Sequence, residues 1–165
     1  MDKKESACKY TGIDRDYSVA DLAAFHGHLG PYIVLGYRIG RYAKKNFCSD
    51  PFQMKAVVFC EGVPPQSCLA DGVQIGSGCT LGKRNIEISV SDSLAVEFYT
   101  ENENKKEKKK IVIRPRSIAF PEHGENDEDS ERLIEMQAEE MYFMSDSELF
   151  SVEIEAASSC EKIDS

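Results

Sequence analysis

The sequence predicts an α+β domain in which a mixed β-sheet packs against helices. Apolar residues recur with helical spacing in some segments and alternate in others, and capping signals stand before two of the helical segments. The predicted order is α-β-α-β-β-β followed by α-β, and no internal repeat is visible. A chain of 165 residues can bury one ordinary core, so we expect a single domain over residues 1–165.

Two helices are predicted in the first third of the chain. Residues 1–17 are polar, and we expect an accessory segment there. Ser18-Val-Ala-Asp21 has the pattern of a capping box and starts a short helix that ends near Phe25. Pro31 suits the first turn of a second helix, because its fixed φ fits there and its missing N–H is no loss; this helix should reach about Phe47.

The next segment predicts a close helix contact, a strand and a third helix. Gly36 and Gly40 have a small-xxx-small spacing, which indicates that another element packs against the second helix. Ala56-Val-Val-Phe59 is a β-branched run that predicts a buried strand ending on Cys60. Gln66 to Ile75 has helical composition and is followed by a glycine-rich breaker.

Three alternating runs follow, and they predict three consecutive strands in a meander. They cover Asn85 to Val90, Leu94 to Tyr99 and Ile111 to Ile113. The fully charged link Glu101 to Lys110 is typical of a solvated hairpin tip, and we assign it no function.

The last quarter predicts an acidic helix-strand extension of the core over residues 122–165. Ser130 to about Phe143 is helical by spacing, Ser145-Asp-Ser-Glu148 is a second capping box, and Leu149 to Ile154 alternates as a strand. Residues 122–165 hold 15 acidic and 2 basic residues, and the rest of the chain holds 14 and 18. A surface of this sign repels phosphate backbones, so no nucleic acid partner is expected.

The location is expected to be the cytoplasm, with no membrane partner. The apolar stretch Pro31 to Tyr37 is far short of the roughly 20 residues of a membrane span, and Met1-Asp-Lys-Lys lacks the apolar segment of a signal peptide. For the same reason the six cysteines are expected to be free or metal-bound thiols and not disulfides.

Soft-metal donors stand beside glycines at loop or strand ends. His26-Gly-His28 places two imidazoles on one turn, where they can reach a common ion, and Cys60, Cys68 and Cys79 can supply thiolates. The spacing of Cys68 and Cys79 matches no zinc finger, so buried inert cysteines stay the alternative. His123, in an acidic loop, is expected to be exposed.

The same region also contains the residues of a Cys/His nucleophile pair and a glycine-rich segment that partly resembles a phosphate loop. Cys68 or Cys79 as thiolate, His28 as base and Asp71 as the orienting group would form a nucleophile pair. The segment Gly76 to Lys83 fails as a phosphate loop, because Ser77 stands where a glycine is required and Arg84 where Ser or Thr is required.

Three segments carry a family resemblance. Phe25 to Tyr37, Ser67 to Gln74 and Ser77 to Asn85, in this order, resemble the core of the E-type subunit family of formylmethanofuran dehydrogenase. The resemblance implies a fold similar to the C-terminal domain of glyceraldehyde-3-phosphate dehydrogenase, a homodimer, and a transition metal held by the His-x-His turn and core cysteines.

The resemblance also implies the site residues. The metal ligands would be His26, His28, Cys68 and Cys79, with zinc the expected ion and iron or nickel the alternatives. Residues expected to support the ligands or contact a substrate are Asp71, Gln74, Thr80, Lys83 and Asn85.

Two departures from the family pattern stand out. Many members carry a cysteine two places after the second histidine, where this chain has Gly30, and Cys60 is the candidate replacement. Many members also end in a zinc ribbon, whereas Cys160 stands here without a Cys-x-x-Cys partner.

The resulting expectation is a metal-binding protein in the one-carbon or molybdenum-enzyme metabolism of an anaerobe, such as methanogenesis. The alternative is an accessory subunit or metal carrier for a molybdenum or tungsten oxidoreductase, and the lesser alternative is a metal-free Cys/His nucleophile. Whether it is an enzyme stays open; an enzyme of this kind would depend on the metal.

Overall fold

One five-stranded mixed sheet forms the centre of the protein. The computed structural model describes residues 8–102, 107–120 and 126–155, so His123 and Cys160 lie outside the described residues. The strands are β1 (Met54–Cys60), β2 (Ile86–Val90), β3 (Ala95–Asn102), β4 (Glu107–Pro115) and β5 (Phe150–Glu155). Their order across the sheet is β2-β1-β3-β4-β5.

The helices confirm the predicted α+β class. They are α1 (Val19–His26), α2 (Pro31–Asn46), α3 (Leu69–Ser77), α4 (Asp127–Phe143) and α5 (Asp146–Leu149). A 3₁₀ turn, Gln66–Cys68, leads into α3, and a second one, Leu81–Lys83, follows it. In the described ranges no helix combines the length and the apolar character needed to cross a bilayer. The similarity to glyceraldehyde-3-phosphate dehydrogenase stays a prediction.

Both predicted capping boxes are present. The Ser18 backbone N–H donates to Asp21 Oδ2 at 2.9 Å, and the Asp21 N–H donates to Ser18 Oγ at 3.2 Å. Ser145 and Glu148 form the same reciprocal arrangement before α5. Helix α4 begins at Asp127, three residues before its predicted start, because an asparagine cap precedes it and the acidic first turn suits the positive end of the helix dipole.

The predicted meander of β2, β3 and β4 is wrong at its first step. Strand β2 pairs in parallel with β1, with Ala56 opposite Ile86, and β1 pairs antiparallel with β3. The chain returns from β1 through α3 to the same side of the sheet, which is how parallel neighbours are connected. Strand β1 therefore lies between β2 and β3. Strands β3 and β4 do form the predicted hairpin.

The helices cover one face of the sheet, and the opposite face mixes polar side chains with apolar ones such as Val57 and Val112. Alternate residues of β1, from Met54 to Cys60, join the buried cluster that also contains the apolar residues of α2 and α3. On the opposite face Lys110 of β4 pairs with Glu97 at 3.4 Å and with Glu155 at 3.1 Å. The main core thus lies between the helices and one face of the sheet.

Helices α2 and α3 touch backbone to backbone through glycines. A Cβ on Gly40 would lie 2.7 Å from Ser77 N, and a Cβ on Gly36 would overlap the Leu69 carbonyl oxygen. From α3, Gly72 and Gly76 approach α2 equally closely. The close packing predicted from the Gly36–Gly40 spacing is confirmed. Helix α3 contributes Gly72 and Gly76, which have the same four-residue spacing.

The segment before α1 is tied to α2 by charge. Arg41 Nη1 lies 2.6 Å from Asp14 Oδ1, Arg41 Nη2 lies 2.9 Å from Asp16 Oδ1, and Lys44 also reaches Asp14. Next to these pairs, the Tyr17 N–H donates to Tyr37 Oη at 2.8 Å. The hydrogen bond from Arg41, helped by Lys44 and opposed by burial, lowers the pKa of Asp14 to about 2.

Substituting Gly72 by Ala should destabilise the protein by at least about 2 kcal/mol, because the new methyl group would meet the Ile33 carbonyl oxygen and lie 2.5 Å from Tyr37 N. Urea unfolding measures the change. Gly82→Ala is the control: nothing lies within 4 Å of a Cβ there, so its effect should stay within about 0.5 kcal/mol. Equal effects of the two substitutions would contradict the glycine contact.

Substituting Asp14 by Asn should cost about 1 kcal/mol or less at pH 6, since Asp14 is half exposed and its ion pairs are screened. A carboxyl with a folded-state pKa lowered from 3.8 to about 2 adds stability above pH 3.8 that is lost as the pH falls toward 2. Most of the difference between variant and wild type should therefore be lost at pH 2. Unfolding free energies at both pH values test this, with the exposed Asp92→Asn as a neutral control.

Candidate functional site

The His-Gly-His turn places two imidazoles side by side. Helix α1 ends at His26, and Gly27 follows with φ of 94°, a left-handed conformation that favours glycine. The chain therefore leaves the helix axis before His28. The two ring centroids are 4.8 Å apart and tilted by 47°. The turn thus holds the two nitrogen donors that the sequence predicts as neighbours.

A carboxylate on α3 fixes the inner histidine. His26 Nδ1 lies 2.7 Å from Asp71 Oδ2, and the His26 side chain is only 11% exposed. A carboxylate partner at Nδ1 favours the tautomer that carries its proton there, which leaves the lone pair of Nε2 free. Cys68 stands three residues before Asp71, on the 3₁₀ turn that leads into α3.

Two cavities meet at His26 and Cys68. The Asp71 cavity, about 430 Å³, has Asp71, Gln74 and Glu87 in its wall. The Phe120 cavity, about 340 Å³, is lined by the end of α1 and the turn after it, by α2 and α4, by the turn before α3 and by the loop after β4. Its lining residues are His26, His28, Gly30, Pro31, Tyr32, Ile33, Pro65, Cys68, Phe120 and Ile134. Both histidines and Cys68 therefore border one space.

The surroundings of the Cys68 thiol disfavour its thiolate form. Burial raises its pKa, and the nearby Asp71 carboxylate raises it further. A cation beside the sulfur would act in the opposite direction. The raised pKa therefore disfavours a metal-free thiolate nucleophile, whereas a bound cation would itself favour the thiolate that a metal ligand needs.

Cys79 lies away from this cluster. Its thiol is fully buried and donates to the Met54 carbonyl oxygen at 3.4 Å. Cys68 and Cys79 flank opposite ends of the nine-residue α3, which separates them by about 13 Å at ~1.5 Å per residue. Cys60 is buried at the end of β1 and lines neither cavity. Three of the predicted donors thus border one cavity, and these two thiols do not.

The remaining predicted residues form a hydrogen-bonded corner after α3. Lys83 Nζ donates to the Gly78 carbonyl at 2.6 Å and to Thr80 Oγ1 at 2.7 Å. Asn85 Oδ1 accepts from the Thr80 N–H at 2.8 Å. Gln74 connects this corner with the Asp71 cavity, since its Oε1 accepts from the Leu81 N–H at 2.9 Å. Thr80, Lys83 and Asn85 shape the turn and do not border the two cavities.

The side chains of His26, His28 and Cys68 border one cavity but do not converge on one point. Within residues 8–102, 107–120 and 126–155, no three His, Cys, Asp or Glu side chains are gathered closely enough to hold a metal ion together. An ion would have to draw the ligands in, so its affinity would include the cost of reorienting side chains.

Comparison with known proteins identifies the family. Residues 25–151 match the sequence model of the family described as FmdE, molybdenum formylmethanofuran dehydrogenase operon. The chain belongs to the FmdE family. A curated relative, a probable S-adenosyl-L-methionine-binding protein of Archaeoglobus fulgidus, is 35% identical over 69 residues, which is 38% of this chain. The match spans 18% of that relative's length.

The matched FmdE region contains both cavities, and part of their lining carries no signal in the sequence. Phe120 lies in a segment that the sequence predicts as a loop, and Ile134 belongs to a helical apolar face whose partner the sequence does not indicate. Glu87 has the spacing of the solvent side of a strand, and at the sheet edge it borders the Asp71 cavity. Only the packing of α4 beside α2 could reveal the Phe120 cavity, because its wall comes from distant parts of the chain.

Proposed function

We propose that this FmdE family member is a metal-binding protein in which His26, His28 and Cys68 hold one divalent ion. The observation that carries the proposal is the 2.7 Å contact between His26 Nδ1 and Asp71. Metal-ligating histidines commonly give their other ring N–H to a carboxylate, which fixes the tautomer and the ring orientation. His28 and Cys68 border the same cavity as His26, so an ion in that cavity would have three donors of the right chemistry in its wall.

Zinc is the proposed ion, with iron and nickel as the alternatives. Two imidazoles and one thiolate are a donor set that suits borderline divalent ions, and three protein ligands leave a fourth position open. Bound there, the ion would polarise a small carbonyl or carboxylate, or activate water. Cys79 and Cys60 are left out of the proposed ligand set, because neither borders the cavities that His26 borders.

The proposed setting is the one-carbon or molybdenum-enzyme metabolism with which the family is associated. In the alternative, the protein is an accessory subunit or metal carrier of a molybdenum or tungsten oxidoreductase. The acidic surface of α4 supports this alternative, since Glu131 and Glu135 are both exposed and a cationic partner surface would be attracted to them. S-adenosyl-L-methionine binding is not proposed, because the match covers only 18% of the relative named for it.

We further propose that the protein forms a homodimer through the β2 edge of the sheet. Among the strands that the structure describes, β2 has a neighbour on one side only, and its Val90 is 78% exposed. Ile88 on the same strand and Leu81 beside the Asp71 cavity are exposed as well. An open strand edge with apolar side chains favours association with another chain.

The metal proposal is tested by elemental analysis of the purified protein and its variants. The wild type should hold close to one zinc per chain, and His28→Ala and Cys68→Ala should each lose most of it, because each removes one of three ligands. Cys79→Ala is the matched control and should keep the ion. A wild type without metal, or equal loss in Cys68→Ala and Cys79→Ala, would contradict the proposed ligand set.

The accessory role is tested by pull-down from an anaerobic lysate of the source organism. An accessory subunit should retrieve a molybdenum or tungsten oxidoreductase, and Glu131→Lys with Glu135→Lys should reduce recovery severalfold by reversing the charge of the α4 surface. Reversal at the exposed Asp92, between β2 and β3, should leave recovery unchanged. A protein that brings down no oxidoreductase counts against this role and favours independent action.

The dimer is tested by light scattering on a sizing column. The wild type should have twice the 18.5 kDa mass of the chain, and Val90→Lys should convert it to a monomer by placing a charge in the buried interface. Ile154→Lys, on the opposite edge of the sheet, changes a side chain that is 81% exposed and should leave the dimer intact. A monomeric wild type would rule the dimer out.

A further inference from the structure

The Phe120 cavity differs from the Asp71 cavity in what its walls can recognise. Beyond the two histidines and Cys68, its wall consists of apolar side chains and glycine, among them Tyr32, Ile33, Phe120 and Ile134. The Asp71 cavity carries two carboxylates, an amide and a hydroxyl. A ligand that reaches the donors from the Phe120 side therefore meets no charged partner other than the donors themselves.

The wall of the Phe120 cavity is partly aromatic. The rings of Tyr32 and Phe120 have their centroids 5.8 Å apart and are inclined by 37°. Flat ring systems pack well against inclined aromatic rings, and burial of a ring in such a space removes a large apolar area from water. At about 340 Å³ the cavity falls within the size range of small-molecule sites.

We propose that the site takes a two-part ligand: a donor atom that occupies the open position of the ion, and a ring-sized apolar group that lies in the Phe120 cavity. This inference rests on the proposed metal centre. Its basis is that His26, His28 and Cys68 stand in the wall of an otherwise apolar cavity, so that metal coordination and ring burial are available to one small molecule. Charged groups of the same size are excluded by desolvation.

Two hydroxamates with the same chelating head test the proposal on the full chain loaded with Co²⁺, whose visible spectrum reports coordination. Benzohydroxamate should bind at least about tenfold more tightly than acetohydroxamate, because only the former buries a ring. Ile134→Asn and Phe120→Ser should each reduce this ratio to below about threefold. Leu133→Asn, at the more exposed neighbouring position of α4, should leave the ratio unchanged.

A metal-free arm separates the two proposals. Indole added to the metal-free protein should shift the NMR signals of the Ile134 methyl groups and the Tyr32 ring, since the cavity does not need the ion. Co²⁺ binding with equal hydroxamate affinities and no response to indole would overturn the present inference alone. Failure to bind Co²⁺, with indole still seated beside Ile134, would overturn the metal centre and with it the coordinating half of the ligand.

Discussion

The contact between α2 and α3 is the constraint on which the rest of the structure depends. Gly36 and Gly40 on one helix meet Gly72 and Gly76 on the other, and no side chain separates the two backbones. The contacts run in the same direction along both helices, from the first turns of α2 against the first turns of α3 to the later turns of each. Both helix N-termini therefore lie at the same end of the molecule, and the His-Gly-His turn and Cys68 stand directly before them. The same contact places Asp71, one residue before Gly72, within 2.7 Å of His26.

Local signals in the sequence predicted the elements well and their pairing less well. Capping boxes at Ser18 and Ser145 and a proline at position 31 depend on neighbouring residues only, so they could be recognised without a fold. The strand that pairs with β2 could not be predicted from neighbouring residues in this way. Alternation in Ile86–Val90 indicates a strand but carries no information on its neighbour, and the pairing with β1 follows from the return of the chain through α3.

In the candidate site too, the residues could be predicted from the sequence, but the distances between them could not. His26, His28, Cys68 and Asp71 were predicted from residue type and family resemblance, and they border two cavities that meet at His26 and Cys68. Cys79 has an equally suitable thiol in a glycine-rich turn, but the length of α3 separates it from Cys68. Residue type and spacing could not tell the two thiols apart, because the distance depends on a helix lying between them. The Phe120 cavity was still harder to predict from the sequence, since residues from α2, α4 and loops form it only when these elements pack together.

Gly30 links the departure from the family pattern to the shape of the site. A Cβ at this position would lie 3.3 Å from His28 Cε1, so a side chain there would stand against the His28 ring and extend toward the Phe120 cavity, which Gly30 lines. The family resemblance predicts a cysteine at this position. With glycine at position 30, one thiol is absent from the neighbourhood of the proposed ion, and the space that its side chain would fill belongs to the cavity. A centre with fewer protein ligands has a coordination position to offer, and the space beside it is where an incoming group would lie. In the proposed metal centre, Gly30 therefore accounts both for one fewer thiol donor and for part of the space beside His28.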